Sequence, residues 1–216
     1  MILDHHKPKA NRMASELYKF LKTKQVDAPP YTHTSYIGGK YNIKETDYDK
    51  LNRLYYKALV DYYKPEDEFD NATNNEKPML FLIERLQDVF NFCQDIDNKD
   101  GELGDSDILE LLNETKEQLV EYTSEPIECT VLKRNDNYHL HYNCKTTKEQ
   151  AQQITEILKE RLTEDISSKL DVSPYKNGGM RMLGSYNKDK TDYYKLYDLK
   201  NRKYITLTYG RFKQTL

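Results

Sequence analysis

Tryptophan is absent from this chain, and glycine, proline and cysteine are sparse, at 8, 7 and 3 among 216 residues. So few glycines and prolines exclude collagen-like and Pro/Gly-rich low-complexity chains. Cys93, Cys129 and Cys144 are an odd number in apolar, strand-like surroundings. They exclude a disulfide-stapled scaffold and point to reduced, buried thiols in an intracellular protein. No apolar run approaches the roughly 18 residues that span a bilayer, so no membrane partner is expected. The opening MILDHHKPKANR lacks the apolar stretch of a secretory signal. Missing motifs narrow the chemistry further. Without Gly-x-x-x-x-Gly-Lys-Ser/Thr a Walker-type nucleotidase is unsupported. Without Gly-x-Ser-x-Gly, or a cysteine in a nucleophile's context, acyl-transfer hydrolysis is too.

What is present is charge, unevenly spread. A net −3 hides residues 66–125, with 18 acidic and 4 basic side chains, and residues 174–216, with 10 basic and 3 acidic. The basic, Tyr-rich C-terminal part suits a phosphate backbone with bases stacked on aromatic rings, or an ordinary solvated surface. Helical spacing of Met13, Leu17, Phe20 and Leu21, then a hairpin over Tyr31–Ile43 turning at Gly38-Gly39, opens a first module. Thr46 or Asp47 is expected to cap a second helix with Leu51, Leu54, Tyr55, Ala58, Leu59 and Tyr62 on one stripe. The charged, Asn-rich segment KPEDEFDNATNNEKP reads as a loop or linker. Three regions follow: 1–64 as the N-terminal module, 65–78 as the linker, and 79–216 as a β-rich α+β sheet domain. In the last, MLFLI, VFNFCQDID, MRMLGSY, YYKLYDL and KYITLTY read as strands, and IECTVLK with NYHLHYNC as a hairpin around Arg134–Asn137. One helix runs from about Ser106, its expected N-cap, to Tyr122 with Leu109, Leu112 and Leu119 inward. Another opens at Thr147 as a capping box with Gln150 and buries Ala151, Ile154, Leu158 and Leu162.

Three patches carry candidate chemistry. From Val89 to Asp97 the pattern alternates, so Phe90, Phe92 and Ile96 bury while Asp95 and Asp97 share the other face. Adjacent carboxylates repel unless a proton or cation lies between them, and a hard divalent cation takes such oxygens. The other reading is a strand running out into an acidic loop, since Asn98, Asp100, Glu102, Asp105 and Asp107 follow. In NYHLHYNC, His139 and His141 share the polar face, able to donate to phosphate or ligate a metal. A zinc site is disfavoured, because Cys144 falls on the opposite face and no Cys-x-x-Cys exists. In LDVSPYKNGGMRMLGS, Asp171 ends an apolar stretch, and Pro174 and Gly178-Gly179 enforce turns. Arg181 offers a planar fork for phosphate oxygens, Gly184-Ser185 a backbone N–H and a hydroxyl, and Lys188 with Lys190 added charge.

In this order, Asp95-x-Asp97, His139 on a strand, then Asp171 with Tyr175, Arg181 and Gly184-Ser185 resemble the archaeo-eukaryotic primase superfamily, whose motifs are an acidic pair, a Ser-x-His and a third Asp. The likeness covers nearly the whole chain and is nearest to the primase domains of primase–helicases from nucleocytoplasmic large DNA viruses. Two departures stand out: Asn137 replaces the usual Ser, and Lys188 is displaced by one position. The resemblance implies an α+β fold with an RRM-like antiparallel sheet module and a smaller N-terminal αβ module. It implies a primase or primase–polymerase extending nucleotides on single-stranded DNA by two-metal phosphoryl transfer. Asp95, Asp97 and Asp171 would hold Mg²⁺ or Mn²⁺, His139 the β/γ phosphates, and Arg181, Ser185 and Lys188 the rest of the triphosphate or the template. It further implies NTP or dNTP substrates, a helicase domain in the same full-length chain, and, if viral, a site in the host cytoplasm or viral replication compartment. The alternatives are an inactive nucleic-acid-binding module and a metal-dependent phosphohydrolase.

Overall fold

The computed structural model describes residues 10–35, 39–62, 82–185 and 193–205. The expected linker, Gly38 of the hairpin turn and Lys188 lie outside them. The chain divides into two compact units, the first holding the N-terminal residues through Arg85 with 184–185 and 193, the second 86–183 and 194–205.

In the first unit α1 (Ala10–Lys22) precedes β1 (His33–Ser35) and β2 (Lys40–Tyr41), followed by α2 (Tyr48–Tyr62) and β3 (Leu82–Arg85). β1 pairs antiparallel with both β2 and β3. Leu17, Phe20 and Leu21 of α1 and Leu51, Tyr55 and Ala58 of α2 are buried, as their three-to-four spacing predicts. Neither expected cap of α2 holds. A 3-10 turn over Glu45–Asp47 leads into the helix, and the Asp47 carboxylate instead meets Lys24 Nζ at 2.6 Å.

The second unit runs β4 (Val89–Ile96), α3 (Asp105–Leu119), β5 (Cys129–Arg134), β6 (Asn137–Thr147), α4 (Lys148–Arg161), α5 (Glu164–Ser167), β7 (Leu170–Asp171), α6 (Ser173–Asn177), β8 (Gly179–Arg181), β9 (Lys195–Asp198) and β10 (Lys203–Tyr204). Its six-stranded antiparallel sheet has the order β10-β9-β5-β6-β4-β7. The mixed α+β class with two antiparallel sheets is the one expected. β5 and β6 form the predicted hairpin with Arg134 opposite Asn137, and Asn135 takes the positive φ of 51° that the tight turn requires.

One sheet face carries the core. Phe92, Ile96, Tyr138, Leu140 and Tyr142 pack in one cluster with Ile108, Leu111 and Leu119 of α3 and Ala151, Ile154 and Leu158 of α4. Gln94 Oε1 accepts from Tyr142 Oη at 3.0 Å and Thr115 Oγ1 at 3.3 Å, tying sheet to helix inside that core. The capping box at α4 is present: Gln150 N–H donates to Thr147 Oγ1 at 3.3 Å, and Thr147 N–H to Gln150 Oε1 at 2.8 Å. At α3 the phase differs from expectation. The helix starts one residue before Ser106, with the Gly104 N–H donating to Asp107 Oδ2 at 2.7 Å. Ile108, Leu111, Leu112, Thr115 and Leu119 face inward, so Leu109 is 45% exposed. In β4 the register shifts between Asn91 and Cys93, a bulge that strict alternation does not foresee, and Cys93 is buried as well as Phe92. Gly178 ends α6 where a Cβ would come within 2.9 Å of Pro174 Cα, so no larger residue fits without movement.

Candidate functional site

Residues directly opposite one another on antiparallel strands share a face. Across β7, β4 and β6 the register places Asp171 opposite Asp95, and Asp95 opposite His139. The row therefore reads Asp171, Asp95, His139 on the face away from the core. Asp97 stands two residues further along the β4 direction, its N–H donating to Lys169 O at 3.0 Å. Four of the sequence-predicted residues thus come from three neighbouring strands and their ends.

Their side chains are each engaged separately. Asp97 meets Lys99 Nζ at 2.6 Å. Asp171 accepts from the Ser173 N–H at 2.8 Å and from Ser173 Oγ at 2.6 Å. Asp95 Oδ1 lies 3.3 Å from His139 Nε2. Among the described residues no three His, Cys, Asp or Glu side chains are gathered closely enough to hold a metal ion. The expected cluster is therefore present in register and not in side-chain position, and mutual repulsion is sufficient reason for carboxylates to take separate partners. Their oxygens are the hard donors that Mg²⁺ and Mn²⁺ prefer. The donor set fits such a cation if the side chains turn from Lys99 and Ser173.

The Asp95–His139 pair sits in a strong local field. Burial pushes the Asp95 carboxyl up, but the His139 hydrogen bond and the nearby charges of Arg181 and Arg134 outweigh it and hold the group below its ordinary value. Burial pushes His139 down more than Asp95 raises it. The two directions favour a carboxylate at Asp95 and a neutral imidazole at His139.

Two residues that sequence reading missed complete the surroundings. The Tyr194 ring stacks on His139 with centroids 3.6 Å apart, and the Arg134 guanidinium lies 4.8 Å from the Tyr194 ring centroid. Arg134 was legible only as a hairpin residue. Tyr194 needed the knowledge that β9 pairs with β5, where Leu196 lies opposite Leu132 and Leu132 opposite His139.

Ser185 and His141 are not members of this row. Ser185 belongs to the first unit and is fully buried. Its Oγ donates to Leu82 O at 2.9 Å, receives the Leu82 N–H at 3.1 Å, and lies 3.2 Å from Tyr55 Oη. The hydroxyl is an internal tie. His141 lies opposite Cys93, with Nε2 buried and without a hydrogen-bond partner among the described residues.

Burial pushes His141 down to about 3, and His33 in the first unit down to about 4. Both are neutral when folded, but the unfolded chain takes up protons below its ordinary value of about 6.5. Stability is therefore full above about pH 6.5 and falls as the pH drops towards 4, by up to roughly 1.4 kcal/mol per pH unit for each buried imidazole. Thermal melts across pH 4–7 are expected to show this decline, and His141→Leu a shallower one. Parallel pH profiles for the two proteins would contradict the assignment.

The family described as the C962R protein N-terminal AEP domain matches residues 32–199, which span the row and Tyr194. No curated protein matches the chain.

Proposed function

This chain belongs to the C962R N-terminal AEP domain family, within the archaeo-eukaryotic primase superfamily, and from that premise we propose that it is a template-directed nucleotidyltransferase. The observation that carries the reading is the cross-strand row of Asp171, Asp95 and His139, with Asp97 at the end of the same strand. In this reading Asp95, Asp97 and Asp171 hold Mg²⁺ or Mn²⁺. A divalent pair, when bound, neutralises the triphosphate and favours ionisation of the attacking 3′-hydroxyl. The protein's own task is positioning and charge. Arg181, close enough to lower the Asp95 carboxyl, takes triphosphate oxygens, and Lys188 adds a second cation. Single-stranded template runs along basic and aromatic side chains, with NTPs or dNTPs as substrates. In the full-length protein the domain would be the catalytic front of a large DNA virus primase–helicase, acting at the intracellular replication site.

The test is incubation with Mg²⁺ or Mn²⁺, a single-stranded template and labelled nucleotides. Products that lengthen with time are expected. Released phosphate without extension would indicate a phosphohydrolase, and template binding alone an inactive module.

A further inference from the structure

We propose that the β9–β10 hairpin grips single-stranded nucleic acid, with Tyr204 stacking on a base and Lys195 and Arg202 meeting phosphates, at a place separate from the Asp95–His139 row. The inference rests on the nucleotidyl-transfer reading only for the choice of a nucleic-acid strand as ligand. It needs neither a metal nor catalysis.

Tyr204 lies opposite Tyr197, and Lys195 opposite Lys133, which lies opposite Tyr138. Tyr138 and Tyr197 belong to the core, so this group stands at the margin of the core-side face, and the catalytic row lies on the other. Asp105, at the start of α3, ties the base of the group together. Its carboxylate accepts from Tyr138 Oη at 2.8 Å and Tyr197 Oη at 2.7 Å, and meets Lys133 Nζ at 3.4 Å. The Lys133 ammonium lies 4.8 Å and 4.6 Å from the Tyr138 and Tyr197 ring centroids. Further out, the Tyr204 ring meets Tyr197 edge to face with centroids 5.3 Å apart and is 36% exposed. Lys195 Nζ lies 5.2 Å from the Tyr204 centroid.

Charge and backbone conformation both point to a polyanion. Residues 195–204 carry Lys195, Lys200, Arg202 and Lys203 against one acid, Asp198. Asp198 is taken up by Asn201, which donates its N–H at 2.9 Å and Nδ2 at 2.7 Å. Asp105 is occupied by Lys133 and the two tyrosine hydroxyls, and Arg202 Nε stays 4.0 Å from it. In the turn between the strands Arg202 takes a φ of 53°. Glycine adopts that region freely, whereas an L side chain is strained there. The Arg202 side chain is 72% exposed. Packing therefore does not explain an arginine at this strained position, whereas an external anion does. A lone phosphate would use the cations and not the ring. A partly exposed tyrosine flanked by cations suits a stacked base together with its phosphates.

The experiment is an anisotropy titration of fluorescein-labelled oligothymidine with the intact protein, without metal or nucleotide, across a series of salt concentrations. Tyr204→Ala is expected to weaken binding roughly 5- to 150-fold, the worth of one stacked base. Tyr204→Phe, which keeps the ring, should bind as the wild type does. Arg202→Gly should lower the slope of log affinity against log salt by roughly 0.7, the loss of one phosphate contact. Its melting temperature should be no lower than that of the wild type, because glycine relieves the strained φ. Asp95→Asn should bind the strand unchanged. If Tyr204→Ala fails to fold, Arg202→Gly decides alone. Unchanged affinity in Tyr204→Ala with an unchanged slope in Arg202→Gly overturns the inference and leaves the nucleotidyl-transfer reading standing. Binding in Tyr204→Phe as weak as in Tyr204→Ala overturns the stacking role and the inference with it. The expected losses in a protein that incorporates no nucleotide support the inference and overturn that reading instead. A wild type that binds no strand overturns both.

Discussion

Asp95→Asn is expected to lower nucleotide incorporation by about 10³-fold or more while leaving the fold in place. Asp95 is the centre of the row, opposite Asp171 on one side and His139 on the other. Its ionised form is favoured by Arg181, Arg134 and the His139 hydrogen bond. Metal-assisted stabilisation of developing charge is worth several kcal/mol, and each 1.36 kcal/mol is tenfold in rate, so losing it removes roughly three orders of magnitude. Asparagine keeps the shape and can still accept from His139 Nε2, so stability should change by about 1 kcal/mol or less. Template affinity should be unchanged, because in the proposed reading the substituted group would meet the cation and not the template. Extension gels, melting curves and template titrations on the two proteins check the three statements. Retained incorporation would remove Asp95 from the chemistry.

The largest stability effect is expected at Phe92. Its side chain is fully buried on the core face of β4 at the bulge. The ring lies 5.6 Å from that of Tyr142 and 6.2 Å from that of Tyr175. Tyr175 in turn donates to the Cys93 carbonyl, which pins α6 to the strand that carries Asp95. Truncating a buried phenylalanine removes transfer energy and leaves a cavity, at a cost of about 3–5 kcal/mol. The aromatic pairs lost with it place the effect towards the upper end. Out of a typical total of 5–15 kcal/mol this is a large fraction. Val89→Ala, at a side chain 55% exposed on the same strand, should stay within about 0.5 kcal/mol. Urea denaturation of both variants is the measurement. Equal midpoints would mean that the core is not built around β4.

What could be read from the sequence was the local part. Alternation in NYHLHYNC placed His139 and His141 opposite Tyr138, Leu140 and Tyr142, and the structure keeps that division. The Thr147–Gln150 capping box is a four-residue pattern, so it was legible without knowledge of the fold. The phase of α3 was not. Its apolar residues are dense enough to fit two overlapping stripes, and packing on Gln94 and Tyr142 selects the one with Thr115 and leaves Leu109 outside. Ser185 was legible only as the hydroxyl of a Gly-Ser turn, because nothing local reveals that β3 backbone groups meet it. The pairing of β7 with β4, which sets Asp171 opposite Asp95, is long-range information that no local pattern holds. The same is true of Tyr194, whose place on His139 follows from the order β9-β5-β6.

The most direct measurement is a crystal structure of the protein with Mn²⁺ and a non-hydrolysable nucleoside triphosphate, read by manganese anomalous scattering. The account predicts manganese bound by oxygens of Asp95, Asp97 and Asp171 together with the triphosphate, and the Asp97–Lys99 and Asp171–Ser173 side-chain contacts given up. Manganese and nucleotide bound elsewhere, with the three carboxylates still on their separate partners, would contradict it.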